Sequence, residues 1–167
     1  MNNNDFKNLN YNEDFGYEGE ISINFFEKDV KVDIIINVED EEINDIQYEA
    51  YEKFKEKWDI LQKSVAEKII EYYNEKEKGS YGPEDKEEFN KWWPEINTID
   101  ELLNQIELDG IIIPETFVME EITGGRCIYL TFSKKYGNDI EGNGIGVKIV
   151  NEEVTEIGFK EIAFYWI

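Results

Sequence analysis

Ile21, Ile23 and Phe25 alternate with polar neighbours in EGEISINFF, and Val30, Val32, Ile34 and Ile36 alternate in VKVDIIINV. Successive strand side chains point to opposite faces, so each run gathers its apolar set on one face. With a turn at Lys28-Asp29 between them, the two runs predict a hairpin with one buried face. The sixteen residues before it, MNNNDFKNLNYNEDFG, hold neither period. They predict a loose arm over 1–16, or a single edge strand, ahead of one domain over 17–167.

After the acidic run Glu39-Asp40-Glu41-Glu42 the period changes. Ile43, Ile46, Ala50, Phe54, Trp58, Leu61, Val65, Ile69 and Tyr72 follow at steps of three or four, which aligns them along one helical face. Asn44 with Gln47 three residues on forms a capping box, and the helix is predicted to run to about Lys76. Tyr51, Ile70 and Tyr73 widen its apolar stripe, while Glu49/Lys53 and Asp59/Lys63 are spaced for i,i+4 pairing. Gly79 closes it, Pro83 opens a second helix that Pro94 ends, and Thr98 with Glu101 caps a third.

Asp109-Gly110 reads as the next turn, and the rest of the chain as strands: IIIPETFVMEE, RCIYLTFSK, GIGVKIV, EVTEIGF and a last one ending in EIAFYWI. Gly124-Gly125 and Asn151-Glu152 mark hairpin turns, and Pro114 should place its strand at an edge or a bulge. The order of hairpin, helices and meander predicts an α+β fold. Its antiparallel β-sheet, an N-terminal hairpin plus a C-terminal meander, packs against one long and two short helices.

Composition narrows the function. The net charge of -22, from 39 acids and 17 bases, repels phosphate backbones, so no nucleic-acid partner is expected; a basic protein partner would be steered in by the same field. The chain has no histidine and one cysteine, Cys127, which removes Ser-His and Cys-His pairs, the common zinc sites and any internal disulfide. Cys127 lies in a strand pattern and is expected in the core. No signal-peptide pattern and no membrane-length apolar run is present, so a cytoplasmic protein without a membrane partner is expected. Nothing calls for a cofactor or sets the oligomeric state.

Gly142, Gly144 and Gly146 alternate as in a phosphate loop, and Asp139, Glu141 and Asn143 as in a calcium loop. Both readings fail on the residues after Gly146. Val147 stands where a dinucleotide fingerprint needs its third glycine, a strand stands where it needs a helix, and Val150 stands where a calcium loop needs a bidentate glutamate. These glycines, with Gly158, therefore read as structural turn and bulge positions. Without histidine the abundant acid-base groups are carboxylates. Glu39 to Glu42, Glu120-Glu121 and Glu152-Glu153 are candidates for a glycosidase-type pair or for magnesium ligands, but among 39 acids such clusters arise by chance. The run Glu39, Asp40, Glu41 and Glu42 serves better as contacts for a basic partner. Trp92 and Trp93 point about 100° apart on a helix, so one of them can join such an interface while the other packs in the core.

The segment GNGIGVKIVNEEVTEIGFKEIAF, residues 142–164, resembles the end of a family of uncharacterised bacterial proteins with the pattern W-D-x-E-H-G-L-G-V, a hairpin turn, then E-I-G-x-x-D-I-A-F. The first hairpin and the stretch from IQYEAYEKF to IIEYY are similar to the same family, which extends the resemblance over about 18–167. Gly144, Ile145, Gly146, Val147, Ile157 and Gly158 keep the pattern. Asp139 stands at its tryptophan, Asn143 at its histidine and Glu161 at its aspartate. Some relatives are regarded as immunity proteins of polymorphic toxin systems, so the resemblance implies a non-enzymatic protein that neutralises a toxin, whose acidity suits a basic, nuclease-like toxin domain. The alternatives are a carboxylate-based or divalent-metal-assisted hydrolase, and a structural or carbohydrate-handling module built on the aromatics.

Overall fold

A computed structural model describes residues 4–115, 125–138 and 142–164. Within the N-terminal stretch, β1 (Asn10–Asn12) is an edge strand on β2 (Gly16–Phe25). The arm before it is tied down: the Phe6 ring lies 5.5 and 4.9 Å from those of Tyr48 and Tyr51, and Asp5 accepts a hydrogen bond from the Tyr51 hydroxyl. β2 pairs antiparallel with β3 (Lys28–Ile36), from Tyr17↔Ile36 to Phe25↔Lys28. The hairpin turn is thus Phe26-Glu27, two residues before the expected position. Both have positive φ, +48° and +69°, as a two-residue turn matched to strand twist requires. An aromatic residue is costly there, and Gln62 holds it by accepting from the Phe26 N–H at 2.8 Å.

The long helical stripe forms α1 (Asp45–Glu56) and α2 (Trp58–Tyr72), with the predicted capping box of Asn44 and Gln47 in place. The helix breaks at Lys57 (φ -101°, ψ 5°), where neither proline nor glycine stands. Next to the break the Trp58 indole N–H donates to the Asn24 carbonyl, pinning the bend to the first hairpin. The bend carries α1 over the middle of the sheet and α2 toward its far edge. A wider π turn, Tyr73–Glu77, follows α2 and rotates both Tyr73 and Glu77 inward. Tyr73 therefore takes the core place expected of Tyr72. Glu49 meets Arg126 rather than Lys53, which pairs with Glu56. The second helix, α3 (Lys86–Trp92), starts three residues after Pro83, because Asp85 caps it by accepting from the Glu88 N–H. The last, α4 (Ile99–Leu103), carries the predicted Thr98/Glu101 box.

β4 (Ile106–Ile113), β5 (Cys127–Lys134), β6 (Ile145–Val150) and β7 (Glu153–Gly158) complete one seven-stranded sheet in chain order. All neighbours are antiparallel except β3 and β4, which pair in parallel from Asp33↔Gly110 to Ile36↔Ile113 after the helical crossover. Asp109-Gly110 is not a turn. It lies inside β4, where the register skips between Leu108 and Gly110 and leaves Asp109 as a bulge. The Asp109 carboxylate accepts from the Ser133 hydroxyl (2.7 Å) and the Lys160 ammonium (2.6 Å). Nor is Pro114 in an edge strand: it follows the last residue of an interior one, where no ladder N–H is needed.

The core lies between the helices and one sheet face, with Val32, Ile34 and Ile36 of β3, Ile111 and Ile113 of β4, and Leu130 and Phe132 of β5 against Ala50, Phe54, Leu61, Val65 and Ile69. On the other face a 3-10 turn, Lys160–Phe164, stands where a strand was expected, and its Ala163 packs on Ile112, Cys127 and Tyr129. Cys127 is buried, and burial pushes its thiol pKa up to about 12, so it stays protonated at neutral pH. No helix among the described residues is long and apolar enough to cross a membrane. Glu120, Glu121, Gly124, Asp139, Glu141 and residues 165–167 lie outside the described residues.

Candidate functional site

The acidic run Glu39 to Glu42 forms the loop between β3 and α1, and all four side chains are exposed. Three hydrogen bonds shape the loop. The buried Gln47 amide donates to the carbonyls of Asn37 (2.7 Å) and Pro114 (2.9 Å), and the Tyr17 hydroxyl donates to the Glu41 carbonyl (2.7 Å). Glu41 itself sits at φ +62°. The turn between β1 and β2 lies beside this loop: Asn37 donates to the Phe15 carbonyl, and Asn12 accepts from the Asp14 N–H. That turn adds the exposed acids Glu13 and Asp14, and two large apolar side chains that stay in solvent, Tyr11 (39% exposed) and Phe15 (38%).

One corner of the sheet therefore presents two aromatic rings among six carboxylates. Tyr11 packs edge-on against Tyr17, with ring centroids 5.5 Å apart, which fixes its orientation. Partial desolvation and then the charges of Glu41, Glu13 and Asp40 raise the Tyr11 phenol pKa, so the acids act on the ring they surround. Aromatic anchors within a charged rim are the composition of an interface hot spot, here with a rim suited to lysine and arginine. Sequence patterning missed Tyr11 and Phe15 because they lie in a stretch with no period; their spacing around Asn12-Glu13-Asp14 is a turn signal that placed them together.

Trp93 leaves the candidate surface. It is buried against Tyr73, Tyr81 and Tyr136, with its indole N–H donating to the Tyr81 carbonyl. Trp92 is half-buried, edge-on to Tyr81 and over Gly82. Both stand beside the C-terminal end of the α1–α2 arm, whereas the acidic loop leads into its start.

The glycines seat the C-terminal turn. Gly146 and Gly158 are paired across β6 and β7, and a Cβ on either would meet Ile162; on Gly146 it would also come within 2.7 Å of the Phe159 carbonyl oxygen. Gly144 has φ +43°, and a Cβ there would lie 2.4 Å from the Phe132 carbonyl oxygen. Gly142 also has positive φ, +65°, but nothing lies within 4 Å of the added atom. Gly144→Ala should therefore cost about 2–4 kcal/mol and Gly142→Ala only about 1 kcal/mol. Urea unfolding of the two variants checks this; equal losses would mean that backbone conformation alone, and not contact, sets the cost.

Of the other acid clusters, Glu152 forms a two-pronged pair with Arg126 at 3.0 and 2.9 Å, and Glu153 is exposed. Among the described residues the one buried carboxylic residue is Glu77, with Lys134 at 3.3 Å, and no group of three or more Asp, Glu or Cys is placed to hold a metal.

The sequence profile of one family, described as Domain of unknown function (DUF6985), matches residues 5–164. The chain belongs to this family. The DUF6985 match takes in both edges of the corner, the turn at residues 12–16 and the loop at 39–42, as well as the glycine-seated C-terminal turn. Neither the curated proteins nor the solved structures yield a match to this DUF6985 chain.

Proposed function

We propose that this DUF6985 protein is a non-enzymatic binding protein whose acid-rimmed aromatic corner captures a basic protein, and that it acts as an immunity protein neutralising a basic, nuclease-like toxin domain. The observation that carries the reading is the corner itself: Tyr11 and Phe15 are exposed within reach of Glu13, Asp14 and the loop Glu39, Asp40, Glu41 and Glu42. The rings supply apolar area and the acids supply steering, with a net charge of -22 behind them. The toxin assignment draws on the resemblance to proteins regarded as immunity proteins.

Pull-down from native lysate containing the products of neighbouring genes, followed by binding kinetics on the captured protein, tests this. Replacing Glu39, Asp40, Glu41 and Glu42 by their amides should slow association and flatten its salt dependence, and Tyr11→Ala should speed dissociation about tenfold or more. A captured partner whose affinity ignores salt and both substitutions would refute the corner as the site.

A further inference from the structure

The strongest unassigned feature lies at the other end of the first hairpin, about 30 Å along the strands from the acidic corner at 3.3 Å per residue. β3 and β4 pair only from Asp33 and Gly110 onward. Before that point Lys28–Val32 have no partner on the β4 side, and Ile106–Asp109 have none on the β3 side, so the two strands part and leave a wedge-shaped mouth of about 530 Å³. Its lining mixes polar and apolar groups: Phe25, Ile106 and Leu108 are buried, and Phe26, Val30 and Leu103 are half-buried beside the exposed Asn104. Phe26 is the aromatic residue held at φ +48° in the hairpin turn, a conformation that sets its ring edge-on to Phe25, 4.9 Å away.

The rim inverts the charge of the rest of the molecule. Lys28, Lys31 and Lys135 line the mouth against one acid, Glu107, in a chain where acids outnumber bases 39 to 17. Lys31 reaches Glu20 only at 3.9 Å, both side chains being exposed, and neither Lys28 nor Lys135 has an ion-pair partner among the described residues. Apolar side chains beside three ammonium groups, of which Lys28 and Lys135 have no ion-pair partner among the described residues, complement one chemistry: a single negative head on an apolar tail.

We propose that the mouth between β3 and β4 binds a free medium-chain fatty acid, with the tail on Phe25, Phe26, Leu103 and Ile106 and the carboxylate among Lys28, Lys31 and Lys135. The size falls within the range of small-molecule sites. Trp58 supplies a reporter, since its ring lies 6.1 Å from that of Phe25 beneath the mouth.

Dodecanoate, titrated below its micelle concentration into the full chain, should change tryptophan fluorescence in a saturable one-to-one isotherm that Trp58→Phe removes, with calorimetry giving the same affinity in both proteins. Lys28→Glu/Lys135→Glu, exposed changes whose folding circular dichroism verifies, should weaken dodecanoate at least tenfold. Dodecanol and dodecylammonium should bind at least tenfold more weakly than dodecanoate. Absence of saturable binding, equal affinity for dodecanol, insensitivity to the double reversal, or binding to phosphatidylglycerol vesicles without binding to free dodecanoate would each overturn the assignment.

Discussion

Replacing Lys134 with methionine should destabilise the protein by about 3–5 kcal/mol, the cost of breaking a buried ion pair from one side. Lys134 ends β5, and its side chain is wholly buried at 0% exposure, with that of Glu77 at 2%. The ammonium lies 3.3 Å from the Glu77 carboxylate, donates to the Tyr81 hydroxyl at 3.2 Å, and stands over the rings of Tyr136 and Phe159 at 5.1 and 5.2 Å. Methionine keeps the apolar length but leaves the buried Glu77 charge without its cation. The double variant Lys134→Met/Glu77→Leu removes both charges and should recover most of the loss, because well-packed apolar replacements of buried pairs are often neutral. Denaturant unfolding of both variants decides the matter. A single-variant loss under about 1 kcal/mol would put the pair on the footing of an exposed one such as Lys53–Glu56. A double variant no more stable than the single would show that packing, not charge, holds the site together.

Stability should also fall steeply as pH rises past about 10, the ordinary phenol value. Tyr51, Tyr73 and Tyr136 are at most 2% exposed, and each has its phenol pKa pushed up. Burial is the main cause in all three, reinforced by Asp5 at Tyr51 and by Glu77 at Tyr73 and Tyr136. Above pH 10 the unfolded chain releases these protons while the folded chain keeps them. The unfolded state then binds fewer protons, so the stability declines with pH, by about 1.4 kcal/mol per pH unit for each phenol that stays protonated when folded. The contribution is complete below the unfolded value and is lost above it. Unfolding free energies between pH 8 and 11 measure the slope, and Tyr51→Phe should reduce it by one phenol's share. A flat profile would mean that the three hydroxyls ionise in the folded protein as readily as in the unfolded one.

Some of the structure was legible because local rules settled it. Asn44 with Gln47 and Thr98 with Glu101 cap the helices they were expected to cap, since a capping box needs only four consecutive residues. Alternation placed Val32, Ile34 and Ile36 on the core face, and the Asn151-Glu152 turn joins β6 to β7 as expected. The misplaced features have non-local causes. Asp109-Gly110 has turn chemistry, yet it is a bulge because Ser133 and Lys160, distant in sequence, hold the Asp109 carboxylate. Phe26-Glu27 lacks turn chemistry, yet it is the hairpin turn because Gln62 and the buried Phe25 fix the register. Of the candidate site, the acids Glu39 to Glu42 were visible as a charge run. Tyr11 and Phe15 were not, because only pairing of β1 with β2 brings them beside that loop.

By itself the sequence determined the α+β class, the burial of the strand and helix faces, the absence of histidine chemistry and an overwhelmingly acidic surface, all consequences of period, caps and composition. Only the tertiary structure decided that β3 and β4 run parallel and part at one end, that Lys134 and Glu77 meet in the core, and that Gly144 and Gly146 are packed against Phe132, Phe159 and Ile162. Each of these joins residues far apart in the chain, and such contacts depend on which faces are left to pack once every local preference has been met.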